Sequence, residues 1–148
     1  VQEGADVTLI VRTARVSFGG PDRFDVTRKS GGEAGAPFAP SWKLLGPALE
    51  ARKHADRMRR FGCHSLANAY ERGSWEEYER KYLDEMRASY AANRAAWSAL
   101  LARETIVIVC YCVDAEHCHR RLLRAVILPK LGAVDGGEVS ETAKESMR

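Results

Sequence analysis

Three cysteines, two histidines and two arginines fall within the twelve residues Cys110 to Arg121, C-Y-C-V-D-A-E-H-C-H-R-R. Thiolates attack electrophiles and ligate soft metals, imidazoles carry protons, and guanidinium groups hold anions. Three readings follow. In the first, Cys118 is a nucleophile or redox group, His119 or His117 carries its proton, and Arg120 clamps an anion. In the second, Cys110, Cys112, Cys118 and His119 bind zinc as a tetrahedral Cys₃His set, although C-x-C-x₅-C-H is not a well-known finger spacing. In the third, the cysteines are small apolar packing residues, and the histidine and arginine cap a helix.

The elements around this segment decide how it is presented. Thr105 to Val109, T-I-V-I-V, is a continuous apolar run of the kind found in strands covered by helices on both faces. Side chains alternate along such a strand, so Cys110 and Cys112 are expected to face one side and Tyr111 the other. Asp114 is a good N-cap, which would place Cys118 in the first turns of the next helix. Unpaired amides there favour a thiolate. Leu122 to Leu131 continues as an amphipathic helix, disturbed near Pro129 and closed by Gly132.

Upstream, Val7 to Val11 reads as a buried strand followed by Arg12 and Arg15, and Gly19-Gly20-Pro21-Asp22 as a turn. Phe24 to Val26 is a short second strand that runs into the cationic, glycine-bearing loop 27–32. Strands alternating with helices imply a mainly parallel sheet flanked by helices, an α/β fold, with ligands at the carboxyl ends of the strands. Arg15, Arg28, Lys29 and Ser30 are therefore expected to converge with the cysteine segment on an anionic ligand, a nucleotide or nucleic-acid component.

Ser41 should cap a helix bearing Trp42, Leu45 and Leu49, kinked or restarted at Gly46-Pro47. Its charged continuation, Glu50 to Arg60, reads as a solvated face. Ser74 and Glu77 form a capping box that predicts the start of the clearest helix, whose stripe Tyr78, Tyr82, Met86, Tyr90, Trp97 and Leu101 has the period of a core face. Cys63-His64 reads as an ordinary loop pair.

A chain of 148 residues is expected to form one domain, over residues 1–134, with a polar tail at 135–148 and a short edge strand around Val139. A hydrophobic share of 45% and a charged share of 29% suit a soluble globular protein. No apolar run approaches the roughly 20 residues that span a bilayer, and Val7 to Val11 is too short for a secretory core. We read the protein as cytoplasmic, where clustered cysteines speak for metal or thiol chemistry over disulfides. A net charge of +3 is too small to argue for nucleic acid by itself. Nothing in the sequence sets the oligomeric state.

The run I-V-I-V-C-Y-C-V-D-A-E-H-C-H-R-R-L-L resembles the bacterial and phage family catalogued as domain of unknown function 488, in which a strand ends in Cys and Cys-His-Arg opens a helix. The likeness extends through F-D-V-T-R-K-S (24–30), F-A-P-S-W (38–42), the S-W-E-E-Y-E-R-K-Y segment and the closing K-L-G-A. Lys53 to Gly73 reads as an insertion relative to longer members, beside a shorter N-terminal half. The resemblance implies a flavodoxin-like or Rossmann-like fold. It also implies a site built from Cys118, His119 and Arg120, with Asp25, Arg28 and Lys29 opposite; it supplies no reaction. The leading expectation is an enzyme-like protein with a Cys/His/Arg pocket for an anionic ligand. The alternative is a zinc-stabilised, non-catalytic module that binds protein or nucleic acid through the basic helix Arg52 to Arg60.

Overall fold

Runs of β-branched residues make the strands, and the longest of them is central. The computed structural model describes residues 8–112 and 114–139. In it β1 (Ile10–Arg15), β2 (Arg23–Asp25), β3 (Thr105–Cys110) and β4 (Val134–Glu138) form one sheet in the order β2-β3-β1-β4, with every pairing parallel. Between β2 and β3 lie α1 (Gly32–Gly35), a 3₁₀ turn (Ala36–Phe38), α2 (Trp42–Arg60), α3 (His64–Ala92) and α4 (Arg94–Leu101). Between β3 and β4, α5 (His119–Leu122) passes through a π segment, Leu123–Ile127, into α6 (Leu128–Lys130). Pro129 has no amide to donate to the preceding turn, which accounts for the irregular hydrogen bonding there.

This is the α/β arrangement that the alternation of patterns predicts. Side-chain alternation along β3 sends Ile106 and Ile108 into the main core with Val11, Phe24, Phe38, Tyr82, Trp97 and Leu122. Val107 and Val109 face the opposite way, onto Ala14 and Phe18. The described members of that smaller cluster come from strands and from residues beside them, not from a second helical layer. No helix among the described residues is long and apolar enough to cross a membrane.

Several elements depart from expectation. The first strand spans Ile10–Arg15, so Arg12 lies within it; Val7 falls outside the described residues. Ser41 does cap α2, its side chain accepting from the Leu44 amide at 3.2 Å, but the helix runs through Pro47 unbroken. Gly46 has no Cβ to clash with the proline ring, which removes one steric obstacle to a continuous helix there. The capping box at Ser74 lies inside α3, which starts ten residues earlier at His64. Packing overrides the local signal there: small buried Ala51, Ala55 and Ala67 let α2 and α3 approach closely, and Arg59 bonds Glu71 and, at 2.9 Å, Asn68. Lys53 to Gly73 thus belongs to one helical hairpin. The aromatic stripe is core, with Tyr82 and Trp97 fully buried, and it breaks at Asn93 before α4.

The strand placed around Val139 by pattern is β4, and residues 135–138 join the sheet instead of the polar tail. Two glycines within V-D-G-G-E hide its alternation; Gly136 lies against β1, where an added Cβ would meet Val11 O at 3.1 Å.

Glycine has a sharper role at Gly35. An added Cβ would lie 2.1 Å from the Asp25 carbonyl oxygen, a backbone atom that cannot swing away. Gly35→Ala is expected to destabilise by about 1–3 kcal/mol through forced displacement of the loop after β2. Denaturant unfolding checks this; an unchanged midpoint would mean that the loop yields freely.

Candidate functional site

β3 ends at Cys110 in register with Arg15 of β1, and the chain then leaves the sheet through Tyr111 and Cys112. It returns at Cys118, which precedes α5 in extended conformation (φ −150°, ψ 147°). Asp114, the expected cap, instead accepts from the Glu116 amide at 3.0 Å and pairs with His117 Nδ1 at 2.8 Å, and the helix begins at His119, five residues past that expected cap. Cys118 takes the cap position without a side-chain bond to the helix.

The fold brings the sulfurs of Cys110, Cys112 and Cys118 within 4.8 Å of one another. Cys110 and Cys118 are buried and Cys112 is partly exposed. Interaction with Cys110 and Cys118 holds Cys112 far below an ordinary thiol, and the charge of Arg52 adds to the pull. Its bond to Cys112 pushes the Cys110 thiol up to about 11. Burial pushes Cys118 up, and its bonds to the other two sulfurs push it further. The arrangement is one partly exposed sulfur, its thiol lowered, beside two buried sulfurs whose thiols are raised.

Among the described residues Arg120 is the largest buried charged group, with no exposed surface. Its Nη1 donates to Cys112 O at 2.8 Å and to the sulfurs of Cys110 at 3.2 Å and Cys118 at 3.6 Å. Its Nε and Nη2 form a fork onto Glu138 Oε1 and Oε2 at 3.2 and 2.8 Å. Glu138 also accepts from Thr13 Oγ1 at 2.6 Å. Burial would raise the Glu138 carboxyl, but the bonds from Arg120 and Thr13 hold it below its usual range. A guanidinium whose donors are committed in this way orders the site and does not wait for a ligand.

His119 is buried, with Nε2 3.1 Å from the Val26 carbonyl. That acceptor fixes the proton on Nε2, leaving Nδ1 bare, 3.9 Å from Cys118 Sγ. Desolvation lowers its pKa and keeps it neutral. His119 thus ties α5 to the end of β2, and it is not among the groups that converge as metal donors. Of the Cys₃His set, the structure assembles the three cysteines. Tyr78 and Tyr82 of the aromatic stripe stack 6.1 Å apart, and Tyr82 lies 5.5 Å from His119.

The loop after β2 meets this centre at its rim. Asp25 accepts from the Thr27 amide at 2.8 Å and from Ser30 Oγ at 2.5 Å, and Tyr111 donates to Ser30 Oγ at 3.0 Å. Burial would raise the Asp25 carboxyl; bonds from Ser30 and Thr27 lower it on balance. Lys29 Nζ lies 5.5 Å above the Tyr111 ring. Arg28, read as an anion ligand, points inward and donates to the carbonyls of Pro40 (2.9 Å), Ala39 (3.1 Å) and Ala36 (3.4 Å). Arg15 is exposed at the end of β1. Cys63 is exposed and outside the sulfur group. On the basic helix, Lys53 pairs with Glu50 and Arg59 with Asp56, as a solvated face does. A surface depression lined by Glu76, Glu79, Arg80, Leu83, Asp84 and Arg87 follows α3 and takes in none of these residues.

Sequence reasoning missed Glu138, Thr13 and the part played by Tyr78 and Tyr82. Glu138 lies among polar residues with no pattern to mark it, and Thr13 passes for a strand residue. The tyrosines do carry a signal, hydroxyls on an otherwise apolar stripe, which asks for polar neighbours.

The model of the family described as the active DUF488-N3 subclade matches residues 33–131. The match takes in the three cysteines, His119 and Arg120, and leaves Arg15, the Asp25 to Ser30 loop and Glu138 outside. Among curated proteins and among solved structures, nothing matches.

Proposed function

Because the chain belongs to the DUF488 family, in its active N3 subclade, we propose that it is a thiol-dependent enzyme whose Cys112 thiolate attacks an electrophilic centre on an anionic substrate. One observation carries the reading: three sulfurs lie within 4.8 Å of one another, and of these only that of Cys112 belongs to a partly exposed residue. Interaction with the other two stabilises its thiolate at neutral pH, where an ordinary cysteine is mostly protonated. This moves the nucleophile from Cys118 to Cys112 and makes Cys118 a supporting donor. Arg120 balances the charge of the cluster from inside, and His119 presents its Nδ1 3.9 Å from the Cys118 sulfur. The anion would be met at the rim by Lys29 and by Arg52, whose charge already reaches Cys112. A phosphate-bearing substrate such as a nucleotide suits two long, solvated cations.

Charged and neutral alkylating agents test the anionic part directly. Iodoacetate is expected to label Cys112 faster, relative to iodoacetamide, than it labels exposed Cys63 in the same molecule. We expect a difference of about threefold or more at low salt, shrinking as salt screens the rim. Lys29→Glu combined with Arg52→Glu should abolish that preference. Equal ratios at the two cysteines would remove the anionic substrate from the account.

The same sulfurs support a second reading. Zinc held at about 2.3 Å by three thiolates needs sulfurs roughly 3.8 Å apart and leaves a fourth position open. Arg120 would then offset the negative charge left on a three-thiolate zinc centre. One zinc per chain in protein purified without a metal-affinity step, with Cys112 unlabelled until a chelator is added, would favour this reading over the free thiolate.

A further inference from the structure

A partly exposed cysteine with two buried thiols within 4.8 Å has a second chemistry open to it. A thiolate that meets a hydroperoxide becomes a sulfenic acid, and a nearby thiol decides whether it is recovered or oxidised further. We infer that the three-cysteine centre is a site of reversible oxidation by hydroperoxides, with Cys112 as the sulfur attacked and Cys118 as the resolving thiol. The inference rests on the proposed reading in one respect: both require Cys112 to be the accessible, reactive sulfur.

The steps balance. The Cys112 sulfur attacks the terminal peroxide oxygen; an S–O bond forms, the O–O bond breaks, and the departing oxygen takes a proton from solvent as water or an alcohol. The sulfur is oxidised and the peroxide reduced. The Cys118 sulfur then attacks the Cys112 sulfur; an S–S bond forms, the S–OH bond breaks, and the hydroxide leaves as water with the proton from Cys118. His119 Nδ1, bare and 3.9 Å from Cys118 Sγ, is placed to take that proton first.

Cys110 is the less suitable partner. Its carbonyl accepts from the Val16 amide at 2.8 Å, and its sulfur is held by Arg120 at 3.2 Å, so both ends are pinned to the sheet. Residues two apart on an extended segment have Cα atoms about 6.6 Å apart, near the upper limit for a disulfide. Cys118 precedes the helix in extended backbone, with a longer contact to Arg120 of 3.6 Å, so its sulfur is freer to move.

The test uses the full chain carrying Cys63→Ser, reduced, exposed to hydrogen peroxide, blocked with iodoacetamide and weighed intact. The expected product is two hydrogens lighter than the reduced protein and is restored by dithiothreitol. Cleavage before Asp114 separates the strand cysteines from Cys118 and should leave two peptides joined through Cys112 and Cys118. Cys118→Ser should lose the link and collect oxygens irreversibly on Cys112, whereas Cys110→Ser should keep it. Oxygens accumulating on Cys112 without a link, or a link between Cys110 and Cys112, would overturn the inference, and the wild-type link map decides this even where a variant folds poorly. Labelling of untreated Cys112 separates the two claims: labelled but never linked overturns the oxidation alone, and neither labelled nor linked overturns both.

Discussion

Arg120→Ala is expected to destabilise the protein by about 3–5 kcal/mol, the range for breaking a buried ion pair by removing one partner. The side chain is fully buried, and its loss strands the Glu138 carboxylate, the Cys112 carbonyl and two sulfurs together. Arg120→Lys should recover little, because an ammonium cannot make the planar fork onto Glu138 while also reaching the sulfurs. Glu138→Gln should cost less than Arg120→Ala, since Glu138 keeps 27% of its side-chain surface in water and the amide still accepts from Thr13. Denaturant midpoints at constant slope measure all three. Near-neutral behaviour of Arg120→Ala would mean that water enters the site and that the sulfur cluster stands without its internal charge.

The second large effect is on the pH dependence of stability. An unfolded cysteine titrates near 8.5, whereas Cys112 in the folded chain is held far lower by its bonds to Cys110 and Cys118. Below about pH 8.5 the unfolded chain therefore binds a proton that the folded chain does not, so stability falls as pH falls, by up to about 1.4 kcal/mol per pH unit. The contribution is fully present above that pH. Cys110, raised to about 11, acts in the opposite sense, and its contribution is lost as pH rises above the unfolded thiol value. His119, kept neutral by burial, adds a second loss below about pH 6.5, and the lowered carboxyls of Asp25 and Glu138 add theirs in more acid solution. Stability should peak near pH 8. Cys112→Ser should flatten the slope between about pH 8.5 and 6.5 and leave the His119 part below it. Parallel curves for wild type and variant would show that Cys112 is an ordinary thiol.

Much of the fold was legible because pattern and packing agree in it. The T-I-V-I-V strand and the Tyr78–Tyr82–Met86–Trp97 stripe are demanded by burial, which leaves a period in the sequence, and the Ser41 cap by the unpaired amides of the helix start. The misreadings came where a local signal competed with packing. Ser74 and Glu77 make a good helix start, but the Ala51, Ala55 and Ala67 contact extends the helix past it. That Cys110, Cys112, Cys118, His119 and Arg120 gather in space was legible from their lying close along the chain. The division of labour was not, because it depends on which atom meets which. Arg120 and Arg28 look like anion ligands in a sequence, and in the fold their donors are committed to Glu138 and to backbone carbonyls. Glu138 could not be found by proximity, since it comes to Arg120 through a strand pairing that no short motif announces.

The most direct test of the Cys112 claim is the rate of iodoacetamide labelling at each cysteine across pH 5 to 8, read by mass spectrometry on the unmodified chain, with Cys63 as internal reference. A supported thiolate predicts a nearly constant rate at Cys112 across that range, whereas the rate of an ordinary model thiol falls about tenfold for each pH unit of acidification. Cys110 and Cys118 should stay unlabelled until the protein unfolds. If Cys112 falls in parallel with Cys63, or if Cys118 is the sulfur that labels first, the assignment of Cys112 as the nucleophile is wrong.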